Sequence, residues 1–202
     1  MTDAVQVGAQ IGAEIEAVTF DCFGTLIDWE SGILSVLRLL CERYSVKPMP
    51  ADGELLAMYA RLESRAQEGA YRHYRDILGE VMQKFARELG FQIAAADHSL
   101  LADSIEYWPA FGDTAASLRA LKARYKVGVL SNIDDDLFEG ALPKLGLGSV
   151  GGLDLLVTAQ QVSSYKPAHA HFEEAIERLG LEKSKLLHIA QSQRHDIQPS
   201  SD

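Results

Sequence analysis

Cysteine is scarce in this chain. Cys22 and Cys41 are its only two among 202 residues, too few for a disulfide framework, and both read as buried small hydrophobes of a reducing compartment. Basic charge is also short: nineteen Lys and Arg stand against twenty-nine Asp and Glu, for a net charge of −10. With no local basic cluster to offset it, that balance repels polyanions and argues against a nucleic-acid partner. No run of about 18 uninterrupted apolar residues occurs, and the opening MTDAVQVGAQ lacks the basic flank and apolar stretch of a signal peptide. The expectation is a cytoplasmic protein with no membrane partner. Internal repeats and low-complexity tracts are missing too. What is present is a hydrophobic fraction of 47% against 24% charged, which suits a chain that folds on packing alone, with length for a core and an accessory unit.

Four short apolar runs end in small or polar residues. AVTF, Ala17 to Phe20, delivers Asp21; RYKVGVLS, Arg124 to Ser131, ends at Ser131 and Asn132; LDLLVTA spans Leu153 to Ala159; KLLHIA spans Lys185 to Ala190. Each reads as a buried strand. Helical patterns separate the later runs, over Ala115 to Ala123, Leu137 to Leu145, and the stripe Phe172, Ala175, Ile176, Leu179 between Pro167 and Gly180. Alternating strand and helix predicts an α/β fold of three layers, Rossmann-like, with a mostly parallel sheet. Ligands of such sheets bind at the carboxyl ends of the strands, where Asp21, Ser131 and Asn132 fall.

The segment 31–107 breaks this alternation. Tyr74, Ile77, Leu78, Val81, Met82, Phe85 and Leu89 form a 3.6-residue stripe, and Ile33 to Leu40 and Leu55 to Leu62 suggest further helices. The reading is a helical cap inserted at 31–107 into a core made of 1–30 and 108–202. The chain stops at Asp202, six residues after Asp196, with no further strand or closing helix in the pattern, so a core truncated at its C-terminus is expected.

Asp21 leads CFGTLID, where Gly24 permits a sharp turn beside a carboxylate that can be held as a nucleophile. Ser131 and Asn132 supply a hydroxyl and an amide for an anionic or carbonyl oxygen. Lys166, in SSYKP, can bring an ammonium ion to the strand ends. AQSQRHD closes with Asp196 after Gln191, Ser192, Gln193 and His195. His195 can act as a base beside Asp196 or fill a packing role in the loop. His169 and His171, two apart, do not share a helix face, so no zinc site and no cofactor is expected.

The order of these four stations, DCFGTL, SN, YKP and HIAQSQRHD, resembles the haloacid dehalogenase superfamily. That resemblance implies a nucleophilic aspartate at Asp21, with the insertion serving as the cap. Phosphatases of the superfamily usually carry a second aspartate two positions after the nucleophile, as general acid and magnesium ligand, and a Gly-Asp after the fourth strand. Here these places hold Phe23 and Ala190-Gln191. An aromatic at the first of them, the SN pair, YKP and a lone distal aspartate are instead similar to the 2-haloacid dehalogenases.

The resemblance implies a metal-independent hydrolase of a small 2-haloalkanoic acid. Asp21 displaces halide at C2, and water hydrolyses the resulting ester to a 2-hydroxy acid. It further implies that Lys166 steadies Asp21, that Asp196 and Ser192 position water, that Ser131 holds the substrate carboxylate and that Asn132 lies near the halide. Phe23, Gln193 and His195 would line the site, with Gln193 and His195 replacing the family's usual asparagine and tryptophan. A cap arginine, Arg61 or Arg65, would receive the halide unless both are ordinary surface residues. Self-association as a homodimer is a milder implication. Three alternatives stay open: a small-molecule phosphatase, a hydrolase of another activated carbon bond such as a strained C–N bond, and a catalytically impaired binding protein.

Overall fold

Four short strands, each preceded by a charged or polar entry, assemble side by side. The computed structural model describes residues 14–148 and 152–201; the opening decapeptide lies outside them. Strands β1 (Ala17–Phe20), β2 (Lys126–Ser131), β3 (Leu155–Thr158) and β4 (Leu186–Ile189) form one sheet in the order β3-β2-β1-β4. Every pairing is parallel, with Phe20 opposite both Val129 and Ile189. Parallel strands need both faces covered, and β2 shows how this sequence does it. Val127 and Val129 join the main core with Leu118, while Leu130 joins a second cluster with Val157, Phe172 and Ala175. The sheet is therefore the middle of three layers, as the alternation of patterns implied.

Helices α1 (Trp29–Arg43), α2 (Asp52–Ala66) and α3 (Tyr74–Glu88) follow β1, then the short α4 (Leu100–Ser104). The apolar stripe of α3 is buried from Ile77 through Phe85, as its period predicts. Beyond them lie α5 (Thr114–Lys122), α6 (Asp135–Ala141), α7 (Ala159–Val162) and α8 (Ala170–Leu179). Gly180, at φ 63°, ends α8 in the left-handed conformation.

Two details differ from the pattern. The predicted Leu137 to Leu145 helix breaks at Leu142 into a 3₁₀ turn over Leu142–Leu145, where Pro143 cannot continue an α-helical ladder. After β4 the chain coils into a π-helical turn, Gln193–Ile197, and a one-turn helix α9, Gln198–Ser201, rather than a helix-free exit. No described helix is long and apolar enough to cross a membrane.

A buried carboxylate ties α3 to the core. Buried Asp134, three residues past the end of β2, accepts from the backbone N–H groups of Tyr74 and Arg75, each at 2.9 Å. It thus caps α3, whose own N-cap, His73, makes no side-chain cap bond. Tyr165, next to Lys166, donates to the carbonyl of Arg72 at 2.9 Å.

Candidate active site

The carboxyl ends of the four strands open onto a cavity of about 360 Å³. Asp21 enters from β1. Its backbone N–H bonds the Ile189 carbonyl at 3.1 Å, and the chain then turns through Gly24 at φ 100°, a conformation that favours glycine. The turn is closed by N–H groups of Leu26 and Ile27 on the Cys22 carbonyl. Thr25 reaches back, donating to Asp21 Oδ2 at 3.3 Å and accepting the Gln191 N–H at 3.1 Å.

Lys166 is the hub. Its ammonium is buried to 2% exposure and donates to Asp21 Oδ1 at 2.8 Å, to the Leu130 carbonyl at 2.8 Å, and to Asp196 Oδ1. All three of its protons are used. Burial disfavours the charged ammonium, but Asp21 and Asp196 together outweigh it and raise the Lys166 pKa. Asp196 is likewise buried. Desolvation pushes its carboxyl up, yet the hydrogen bond from His188 and the charge of Lys166 prevail and hold it below the usual carboxylate range. His188 lies between Thr19 and Asp196, with Nδ1 3.0 Å from Thr19 Oγ1 and Nε2 3.2 Å from Asp196 Oδ1.

Ser131 and Asn132 diverge in role. Asn132 is spent on the backbone of Lys166, accepting its N–H at 2.7 Å and donating to its carbonyl at 3.1 Å. Its amide braces the lysine. Ser131 lines the cavity, and its buried Oγ has no hydrogen-bond partner among the described residues. An unpaired buried hydroxyl is costly, and one beside a cavity is ready for a ligand oxygen. Behind it, His171 Nε2 lies 3.2 Å from the Ser131 carbonyl. Burial and then Lys166 drop the His171 pKa to about 4, so this imidazole is neutral and donates that bond.

Ser192 and His195 form a local pair. Ser192 Oγ accepts the His195 N–H at 3.1 Å and lies 3.2 Å from its Nδ1. Burial lowers the His195 pKa and favours the neutral imidazole. Both residues line the cavity. The Ser192 hydroxyl is engaged with His195, while its carbonyl accepts the Asp196 N–H at 3.2 Å.

Several sequence expectations need correction. Arg61 is held outside the cavity by Glu88, with the pair about two-fifths exposed on each side. Arg65 is exposed and lines no part of it. Helix α2 instead turns Tyr59, Glu63 and Gln67 inward, because their spacing puts them on the opposite face from both arginines. Gln193 is exposed and absent from the wall, while Gln191 and Arg194 line it. The π-helical turn redirects that loop, which an extended reading cannot anticipate. Phe23 does line the cavity and meets Trp108 edge-on at 5.6 Å. Sequence reasoning missed His188, whose only signal was a polar residue interrupting an apolar strand. It also missed Glu63, which looks like any charged helix residue.

Among the described residues no group of three or more His, Cys, Asp and Glu is placed to hold a metal ion. Lys166 stands between the two site carboxylates and donates to one oxygen of each.

A family model described as haloacid dehalogenase-like hydrolase matches residues 15–198. An (S)-2-haloacid dehalogenase of Pseudomonas sp. (strain YL) is 27% identical over 183 residues, covering 87% of this chain and 74% of the relative. The structure of L-2-haloacid dehalogenase from Xanthobacter autotrophicus with chloropropionic acid covalently bound superposes with a TM-score of 0.75 at 21% identity, covering 93% of this chain and 74% of that one. The magnesium-bound HAD-hydrolase YfnB of Bacillus subtilis reaches a TM-score of 0.76 at 18% identity, covering 93% of this chain and 84% of that one. At such identities the likeness is one of fold. Fold alone does not choose between metal-free and metal-assisted chemistry.

Proposed function

The chain belongs to the haloacid dehalogenase-like hydrolases, and from that premise we propose that it hydrolyses a small 2-haloalkanoic acid without a metal ion. The observation that carries this reading is the bridge of Lys166 between Asp21 Oδ1 and Asp196 Oδ1. It orients one oxygen of the strand-end carboxylate and leaves Oδ2, among the described residues, with only the 3.3 Å contact to Thr25. In the proposed reaction Oδ2 attacks C2, the carbon–halogen bond breaks, and halide departs with the bonding pair. Attack on carbon needs neither a metal nor a proton for that leaving group. Phe23 stands where a second carboxylate would be required for phosphoryl transfer, and a phenyl ring cannot exchange a proton.

Ser131 Oγ is the donor we propose for the substrate carboxylate, because it is otherwise unpaired among the described residues. Water then attacks the Asp21 carboxyl carbon, breaking the ester there and releasing the 2-hydroxy acid. Asp196 serves through Lys166, and Ser192 through the orientation of His195. Residues 31–107 act as the cap, the compartment is cytoplasmic, and the assembly is a homodimer, which light scattering would test.

The experiment is halide release from 2-chloropropanoate or 2-bromopropanoate with EDTA present, together with intact-mass detection of an ester adduct. Turnover that persists in chelator and an adduct that disappears in Asp21→Asn are the expected results. Phosphate release from phosphomonoesters that requires magnesium, with no halide release, would overturn the reading.

A further inference from the structure

Glu63 is the carboxyl of this cavity that the halide chemistry leaves unused. It projects from α2 into the wall, between Tyr59 one turn before and Gln67 one turn after. Its two oxygens differ. Oε1 accepts from Tyr74 Oη at 3.2 Å and from Gln67 Nε2, and Tyr74 Oη lies 3.0 Å from Tyr59 Oη. The donors therefore run from Tyr59 to Tyr74 to Glu63, and all converge on one oxygen. Oε2 takes no hydrogen bond among the described residues, and no Lys, Arg or His pairs with the carboxyl.

With Oε1 filled by donors, a proton on this carboxyl sits on Oε2. Burial without a cation favours that protonated form and pushes the Glu63 pKa to about 7. The phenols facing it, Tyr59, Tyr74 and Tyr165, are all raised by burial and stay neutral. Asp21, Lys166, Arg194, His195 and Asp196 line the same cavity, and the His195 pKa is lowered. Glu63 is thus the group of the cavity suited to give up a proton at neutral pH.

Resting on Asp21 as the nucleophile, we propose that Glu63 is a catalytic acid and that the site also opens a small epoxide bearing a carboxylate. Asp21 Oδ2 forms a bond to C2 of the ring. The C2–O bond breaks, its electron pair passes to the ring oxygen, and that oxygen takes the proton from Glu63 Oε2. Water then hydrolyses the ester at the Asp21 carboxyl carbon, giving a dihydroxy acid, and the proton released restores Glu63. The sum is epoxide plus water to diol, with no other reactant. Halide needs no such proton, so Glu63 separates the two substrate types.

The test compares oxirane-2-carboxylate with 2-bromopropanoate in the wild type and in Glu63→Gln, which keeps an acceptor for Tyr74 but has no acid proton. Near-UV circular dichroism checks that the variant is folded. The ratio of kcat/KM for the epoxide to that for the bromoacid should fall about 100-fold in the variant. Epoxide opening by the wild type should also decline above about pH 7 while bromide release shows no such limb. An unchanged ratio, or a wild type that releases bromide but leaves the epoxide intact, overturns the acid and preserves the nucleophile. If neither compound alkylates Asp21 by intact mass, the nucleophile itself fails and the acid falls with it.

Discussion

His188 Nε2 lies 3.2 Å from Asp196 Oδ1, on the same oxygen that receives Lys166. The imidazole comes from inside β4, and Asp196 from the loop that follows it. One strand thus supplies the carboxylate and the group that fixes its rotamer. His188→Leu should leave Asp196 free to turn and loosen Lys166 from Asp21. The expected result is roughly a tenfold drop in kcat with little change in KM, since a positioning error of about 1 Å is costly. His188→Gln, which keeps a donor, should recover part of it in steady-state kinetics.

Lys166 compensates two carboxylates at once. Lys166→Met would leave the buried Asp196 uncompensated, and breaking a buried pair from one side costs about 3–5 kcal/mol. Urea unfolding should show that loss, together with absent turnover. Lys166→Met/Asp196→Asn should regain much of the stability and none of the activity.

The pH dependence of stability follows from four buried groups, Asp196, Lys166, His171 and Glu63. Asp196 has a lowered folded pKa, so its contribution is present above the unfolded carboxylate value and is lost as pH falls through the folded one. Lys166 is raised, so its share is complete below the unfolded lysine value and disappears as pH rises through the folded one. His171 drops from 6.5 to about 4, so the unfolded chain binds the extra proton and stability falls as pH falls across that interval. Up to about 3 kcal/mol is at stake there. Glu63, raised to about 7, opposes this, because the folded chain holds its proton and stability falls as pH rises toward that value. His171→Gln should therefore leave ΔG falling more steeply with rising pH in that window in urea melts, with the more acidic limb left to Asp196.

Asp134 holds the N-terminus of α3 from the core side. Asp134→Ala should cost about 1–2 kcal/mol as a lost cap. It should also speed amide exchange at Tyr74 and Arg75 and lower kcat/KM for the epoxide, because α3 carries the tyrosine that holds Glu63. Unchanged exchange at those two amides would argue that α3 is held by packing alone.

Much of this architecture was legible from one dimension. Strands β1 to β4 and helices α1 to α3 stand where apolar period and turn residues put them, because burial on a sheet or helix face imposes a period on the sequence. Asp21, Ser131 and Lys166 were legible for a related reason: strand ends and the loops after them are where such a sheet presents chemistry. Arg61, Arg65 and Gln193 misled because a charge on a helix or in a loop carries no mark of which way it faces. Glu63 sits only two residues from Arg61 yet turns inward, a difference set by the rotation of α2 against its neighbours.

The chain alone therefore determined the layers, the order of the strands' polar exits and the family, since these depend on local period and linear order. Only the folded molecule decided which polar atoms are spent and which are free. Asn132 is consumed by Lys166, the Ser192 hydroxyl by His195 and one oxygen of Glu63 by its neighbours, while Ser131 Oγ is unpaired among the described residues. Hydrogen-bond partners come from residues far apart in sequence and depend on distances of a few ångströms. No local pattern encodes them.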